Sequence, residues 1–243
     1  NGICLSFLGA LIVHLVFILL TTIVFRDRED SRNRVLRFAA VFGNCGFMSL
    51  PIQQAVLSAD GVLFGASFVA MFNLFSWTWG ITEMSGDKKN ISLKKVLINP
   101  GVTSLIIGLL IFVFSVPIPK VVSLPVEYFA ALNTPLPMII IGYHLSKSKL
   151  LKSVTDIGCV LCSVCRLLIF PALALAAVYL LGFRGNLFVS LTISSCSPVA
   201  AYTTIFAYKF DKDTELSVNA VSLSTLLSLA TMPVLITVAK LIA

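Results

Sequence analysis

The chain has 243 residues, 58% of them hydrophobic and only 12% charged, with a mean hydropathy of +0.98. That composition excludes a soluble globular domain and defines an integral membrane protein. The formal net charge of +7 invites a polyanion partner, but its distribution along the chain accounts for it without nucleic-acid binding.

Eight apolar windows of about 20 residues, each long enough to cross a ~30 Å hydrocarbon core as a helix, take up nearly the whole chain. They lie near Ile3–Phe25, Val35–Leu57, Val62–Thr82, Val96–Val116, Pro125–Leu145, Ile157–Leu181, Leu187–Ala207 and Val218–Ala239. Barrel strands are about half that length and alternate in polarity, so the expected fold is an all-α membrane bundle. Fourteen of the 18 lysines and arginines fall in alternate loops: Arg26 to Arg37, Lys88 to Lys95, Lys147 to Lys152, and Lys209 with Lys212. Basic loops are retained in the cytoplasm, so these four are expected inside and both chain ends outside, in a multi-pass plasma-membrane protein. The opening Asn-Gly lies in an apolar stretch without the basic region of a signal peptide, so further spans are expected ahead of it.

In chain order, the first window carries His14 near its middle, either a proton carrier or a hydrogen bond to a neighbouring helix. The second holds G-N-C-G-F-M-S-L-P-I, from Gly43 to Ile52. Pro51 removes a helical donor, and Gly43 and Gly46 make unwinding easy, so the helix is expected to open there or to kink. An open backbone in hydrocarbon has to line a cavity or pack on protein. The third window carries Asn73 and then Trp77 and Trp79, expected as interface anchors. Asn99-Pro100 reads as a helix start, Asn133 followed by Pro135 and Pro137 as a further interruption, and Glu127 as interfacial.

Cys159, Cys162 and Cys165 are spaced like metal ligands, but a fourth ligand is missing, so no metal site is expected. All six cysteines fall in apolar windows and are expected to be free. Arg166 lies about 13–14 Å along its window at 1.5 Å per residue. A cation at that depth reads equally as an attractor for an anionic substrate or as a structural group. The seventh window holds S-S-C-S-P-V-A-A-Y-T-T, in which hydroxyls cluster around Pro198. This interruption runs opposite in direction to the one at Asn44–Pro51. Two such breaks imply an inverted-topology repeat with two crossing broken helices at the midplane.

Asn44 with Pro51, Asn99-Pro100, S-P-V-A-A-Y at Ser197–Tyr202 and L-S-T-L-L-S-L-A-T-M-P at Leu223–Pro233 together resemble the auxin efflux carrier family, which includes bacterial carriers and the plant PIN-type exporters. The resemblance covers nearly the whole chain. It implies ten helices in two inverted repeats of five, of which helices three to ten are present: residues 1–95 as the remainder of the first repeat and 96–243 as the second. It further implies a secondary transporter of small organic anions, carboxylates such as malate or malonate or an auxin-like acid, working by alternating access.

Asn44, Gly46, Ser49 and Pro51 at the first break, Ser195, Ser197 and Pro198 at the second, and Arg166 are the expected substrate-site residues. Ser49 departs from the family, in which glycine is expected two residues before the proline. His14 is the candidate for coupling; a proton, a sodium ion or no coupling ion at all stays open, as does a homodimer, and no cofactor is expected. The sequence has no phosphate-binding loop that would point to ATP. A sodium-coupled bile-acid-type carrier and a non-transporting sensor are the alternatives. Hydrolase chemistry finds no paired catalytic signature around His14 or His144.

Overall fold

The computed structural model describes residues 2–27, 30–87, 100–132, 135–147 and 150–243. Outside them lie Arg28, the loop lysines 88, 89, 94, 95 and 149, the expected helix start at Asn99, Asn133 of the fifth window, and the boundary between the expected halves at 95 and 96. Among the described residues every regular element is a helix, with one isolated bridged pair in addition, and the order is as follows. α1 spans Gly2–Val24, α2 Ser31–Val41, α3 Leu50–Phe75, α4 Ile81–Ser85, α5 Pro100–Val113, α6 Lys120–Ala131 and α7 Pro135–Lys147. There follow α8 Leu150–Thr155, α9 Ile157–Val164, α10 Phe170–Leu180, α11 Gly185–Ser195, α12 Tyr202–Lys209 and α13 Thr214–Ile242.

Wide π turns at Cys45–Ser49, Ser76–Gly80 and Cys165–Ile169 join α2's continuation to α3, α3 to α4, and α9 to α10. Two of them have a cause in the sequence. Pro51 and Pro171 each stand two residues beyond the π turn, where a proline lacks its N–H and its ring clashes with the carbonyl four residues earlier, in each case inside the widened turn.

Among the described residues, four continuous helical stretches are long and apolar enough to cross a membrane: Gly2–Val24, Cys45–Ser85, Ile157–Leu180 and Thr214–Ile242. The second, fifth and seventh windows are not single helices. α2 and α11, of 11 residues each, end at the two expected interruptions, and the fifth window is divided between α6 and α7. Nor is there a loop between the second and third windows. Instead the helix kinks at Ser58, whose φ of 57° and ψ of −144° are left-handed and strained for a non-glycine residue.

α1 packs on α3 and α10, α11 on α3 and α13, and α9 and α12 on α13. One face of α1 buries Ala10, Val13, His14 and Phe17, while Leu8, Leu15 and Leu19 remain exposed at about half of their surface or more. Lipid tails are as apolar as leucine, so such a face is stable in a bilayer and not in water.

Charged groups organise one end of the bundle. Asp30, Asp156 and Asp213 cap the N-termini of α2, α9 and α13 through their side chains. Arg32 then joins two of these caps, 2.6 Å from Asp156 and 3.6 Å from Asp213. Burial raises the Asp156 carboxyl, but the Arg32 hydrogen bond and the amides of Cys159 and Gly158 outweigh it and hold the group below the usual carboxylate range. A depressed native pKa stabilises above the unfolded value and is lost as pH falls through the folded one. Asp156→Ala is therefore expected to cost about 1 kcal/mol at neutral pH, and the difference from wild type in thermal unfolding should vanish below the ordinary carboxylate range.

Deeper in the same end, the buried Arg37 lies 2.7 Å from Glu83 and donates to the carbonyl of Phe25 at 3.0 Å. The sequence reading counts Arg37 among the loop charges and ends the third window at Thr82, one residue before Glu83. Folding instead buries the pair, which links the ends of α1, α2 and α4.

Candidate functional site

The two interruptions meet. Gly43 and Val199 form an isolated antiparallel bridge: the Asn44 amide donates to the Pro198 carbonyl at 2.7 Å, and the Ala200 amide to the Phe42 carbonyl at 2.9 Å. A broken helix leaves main-chain donors and acceptors that hydrocarbon cannot satisfy. Here each break supplies the groups that the other lacks. Ser224 of α13 completes the arrangement by accepting from the Val199 amide at 3.1 Å.

Beside the bridge lies a cavity of about 200 Å³ lined by residues 43 to 47, Leu50, Val69, Phe72, Asn73 and residues 200 to 202. Two helices begin at its wall. The turn at Cys45–Ser49 starts one and Tyr202 starts the other, and the first N–H groups of a helix are donors with a partial positive charge. The Asn44 side chain, buried to 6% exposure, makes no hydrogen bond to any described residue. Asn73 spends its amide nitrogen on the Val69 carbonyl at 3.1 Å, which leaves its oxygen for other partners. None of the lining residues is charged. On one side the cavity meets an aromatic cluster in which Phe72 packs on Phe42 and Tyr202 at ring distances of 5.5 Å, and Phe206 on Tyr202 at 5.9 Å and on Trp77 at 5.6 Å. Trp77 and Trp79 pack against the site's surroundings, Trp79 on Phe42 at 5.9 Å.

Of the expected site residues, Asn44 and Gly46 line this cavity. Ser49 is fully buried and donates to the Ile193 carbonyl at 3.1 Å, so its hydroxyl fastens the first break to α11. Ser195 donates to the Thr192 carbonyl at 3.0 Å and Ser197 to that of Ser194 at 2.8 Å, both within their own turn. Pro198 acts through its carbonyl in the bridge, and Pro51 through the turn before it. Arg166 is fully buried behind Gly43 and is not in the cavity wall.

His14 is buried on α1, its Nδ1 2.7 Å from the Ala10 carbonyl and its ring stacked on Phe75 at 5.3 Å. The Cys159 and Cys162 thiols point at the carbonyls of Leu216 and Leu36, and all six cysteines are free.

Sequence reasoning missed Gln53. It donates to Ser194 Oγ at 2.7 Å and accepts from Ser190 at 3.3 Å, one turn beyond Ser49 on the same face. An amide in an apolar window, four residues after a serine, is the signal that could have found it.

Several spanning helices, an interrupted pair joined inside the apolar region and a small cavity at the joint define a multi-pass membrane transport protein. The comparisons agree. The model of the membrane transport protein family matches residues 3–236, and the chain belongs to this family, the auxin efflux carriers that the motifs resemble. An uncharacterized transporter of Methanothermobacter thermautotrophicus is 26% identical over 210 residues, 86% of this chain and 68% of its own length. Another, of Methanocaldococcus jannaschii, is 25% identical over 231 residues, 92% of this chain and 73% of its own length.

Proposed function

We propose that this protein is a secondary transporter of small organic anions that binds one carboxylate at the crossover, beside Asn44. The observation that carries the reading is the unpaired, buried Asn44 amide at a cavity where two helices begin. Amide donors and helix N-termini suit a single anionic oxygen pair. They suit two charges poorly, because each ionised group taken from water without a paired cation costs several kcal/mol. With Phe47, Leu50, Val69 and Phe72 forming the rest of the wall, the favoured substrate is a monocarboxylate with an apolar body, such as an auxin-like acid, over malate or malonate.

In this reading residues 1–95 and 96–243 belong to two inverted repeats that rock against each other around the crossover. The antiparallel sense of the bridge at Gly43 and Val199 supports that plan. The chain sits in the plasma membrane with its basic loops inside. The ring stacking and carbonyl contact of His14 favour a packing role over proton coupling.

The test is flux of radiolabelled phenylacetate, indole-acetate, malate and malonate in proteoliposomes of the full-length protein. Saturable movement of the two monocarboxylates, mutually competitive and faster than that of the dicarboxylates, is the expected result. Absence of flux for all four, or equal flux of phenylacetamide, refutes the proposal.

A further inference from the structure

Among the described residues Arg166 is the one guanidinium placed at the crossover, and its partners are unusual. Nε donates to the Ser197 carbonyl at 3.0 Å, Nη1 to the Val41 carbonyl at 3.1 Å and Nη2 to Ser197 Oγ at 3.3 Å. Val41 is the last residue of α2, and Ser197 stands two residues beyond the last residue of α11, next to its C-cap Cys196. Both acceptors therefore lie at or just past the C-terminal ends of half-helices, where unpaired carbonyls concentrate partial negative charge.

The opposite polarity faces the cavity, because the chain resumes helix at Cys45 and Tyr202 after each break. Phe17 covers the guanidinium, its ring centre 5.0 Å from Cζ. Among the described residues no carboxylate forms an ion pair with Arg166. The charge is thus buried and neutralised only by dipoles. Gly43 is all that separates it from the cavity: a Cβ built there falls onto Nη2, and Gly43 itself lines the cavity.

We propose that Arg166 pins the two interruptions to each other and charges the anion site from behind Gly43, without touching the ligand. It is a positioning residue. Its planar fork reaches acceptors on two separate chain segments, which a lysine ammonium, with its donors on one atom, cannot span in the same geometry. Its charge acts through one thickness of backbone in a low-dielectric surrounding, where screening is weak.

The proposal rests on the anion reading for its electrostatic half but not for its structural half, and the test separates them. Hydrogen exchange of the ligand-free full-length protein is measured over segments 42–46 and 198–202, and binding of phenylacetate is compared with that of its neutral amide. Arg166→Gln should speed exchange at Asn44 and Ala200 and weaken phenylacetate about tenfold while phenylacetamide changes by no more than about twofold. Arg166→Lys should restore most of the phenylacetate affinity but leave exchange fast. Unchanged exchange in both variants overturns the pin, and equal weakening of acid and amide overturns the electrostatic role. If the wild-type protein binds neither probe, the anion reading fails with the electrostatic half, and exchange alone decides the pin.

Discussion

Gly46→Phe should abolish transport while leaving the fold intact. A Cβ at Gly46 meets only Val69 Cγ2, at 4.0 Å, so the first carbon of a larger side chain enters open space. Everything beyond that carbon projects into a cavity of about 200 Å³. A benzyl group there takes the volume that a small acid needs, and flux should fall by about a hundredfold or more. Gly46→Ala, by contrast, should stay within about threefold of wild type. The measurements are flux in proteoliposomes together with thermal unfolding of the purified protein. A Phe variant that folds and transports normally would show that this cavity is not the path, and one that unfolds early would show that the space beside Gly46 is not open.

The second large effect is at Gly43, where the cause is packing behind the site. Alanine there collides with the Arg166 guanidinium and with Ser197 Oγ, and neither is free to move, since both are buried and hydrogen-bonded to the ends of the half-helices. Displacing a buried cation from its acceptors costs about 3–5 kcal/mol, so Gly43→Ala should markedly lower the yield and melting temperature of folded protein. Gly43→Ala combined with Arg166→Gln should then be less destabilised than the sum of the single changes, because the shorter side chain leaves room for the methyl group. Strict additivity in that double-mutant cycle would show that the two residues do not share the contact.

Much of the architecture is legible in the sequence because membrane solvation imposes simple rules. Apolar length sets the spans, and glycine, asparagine and proline in the middle of a window mark where the helical ladder must open. Those rules locate the breaks at Asn44–Pro51 and Ser195–Pro198 and lead to the expectation that they run in opposite senses. They do not say what a given polar side chain does, because the partner lies far along the chain. Ser49, Ser195 and Ser197 look like Asn44 in the sequence, yet their hydroxyls are taken up by carbonyls of Ile193, Thr192 and Ser194. Arg37 and Glu83 read as loop charges for the same reason, and only their approach to 2.7 Å shows a buried pair.

Helicity, residence in a membrane and the positions of the interruptions are written in the residues themselves, because backbone hydrogen bonding and transfer from water are local properties of each segment. Tertiary structure alone decided that the interruptions bridge at Gly43 and Val199, that Asn44 and Gly46 face a cavity, and that Arg166 stands behind the wall. Each of those facts depends on which groups two segments more than a hundred residues apart bring into contact. No local pattern encodes that choice, since a half-satisfied polar group and a fully satisfied one have the same sequence.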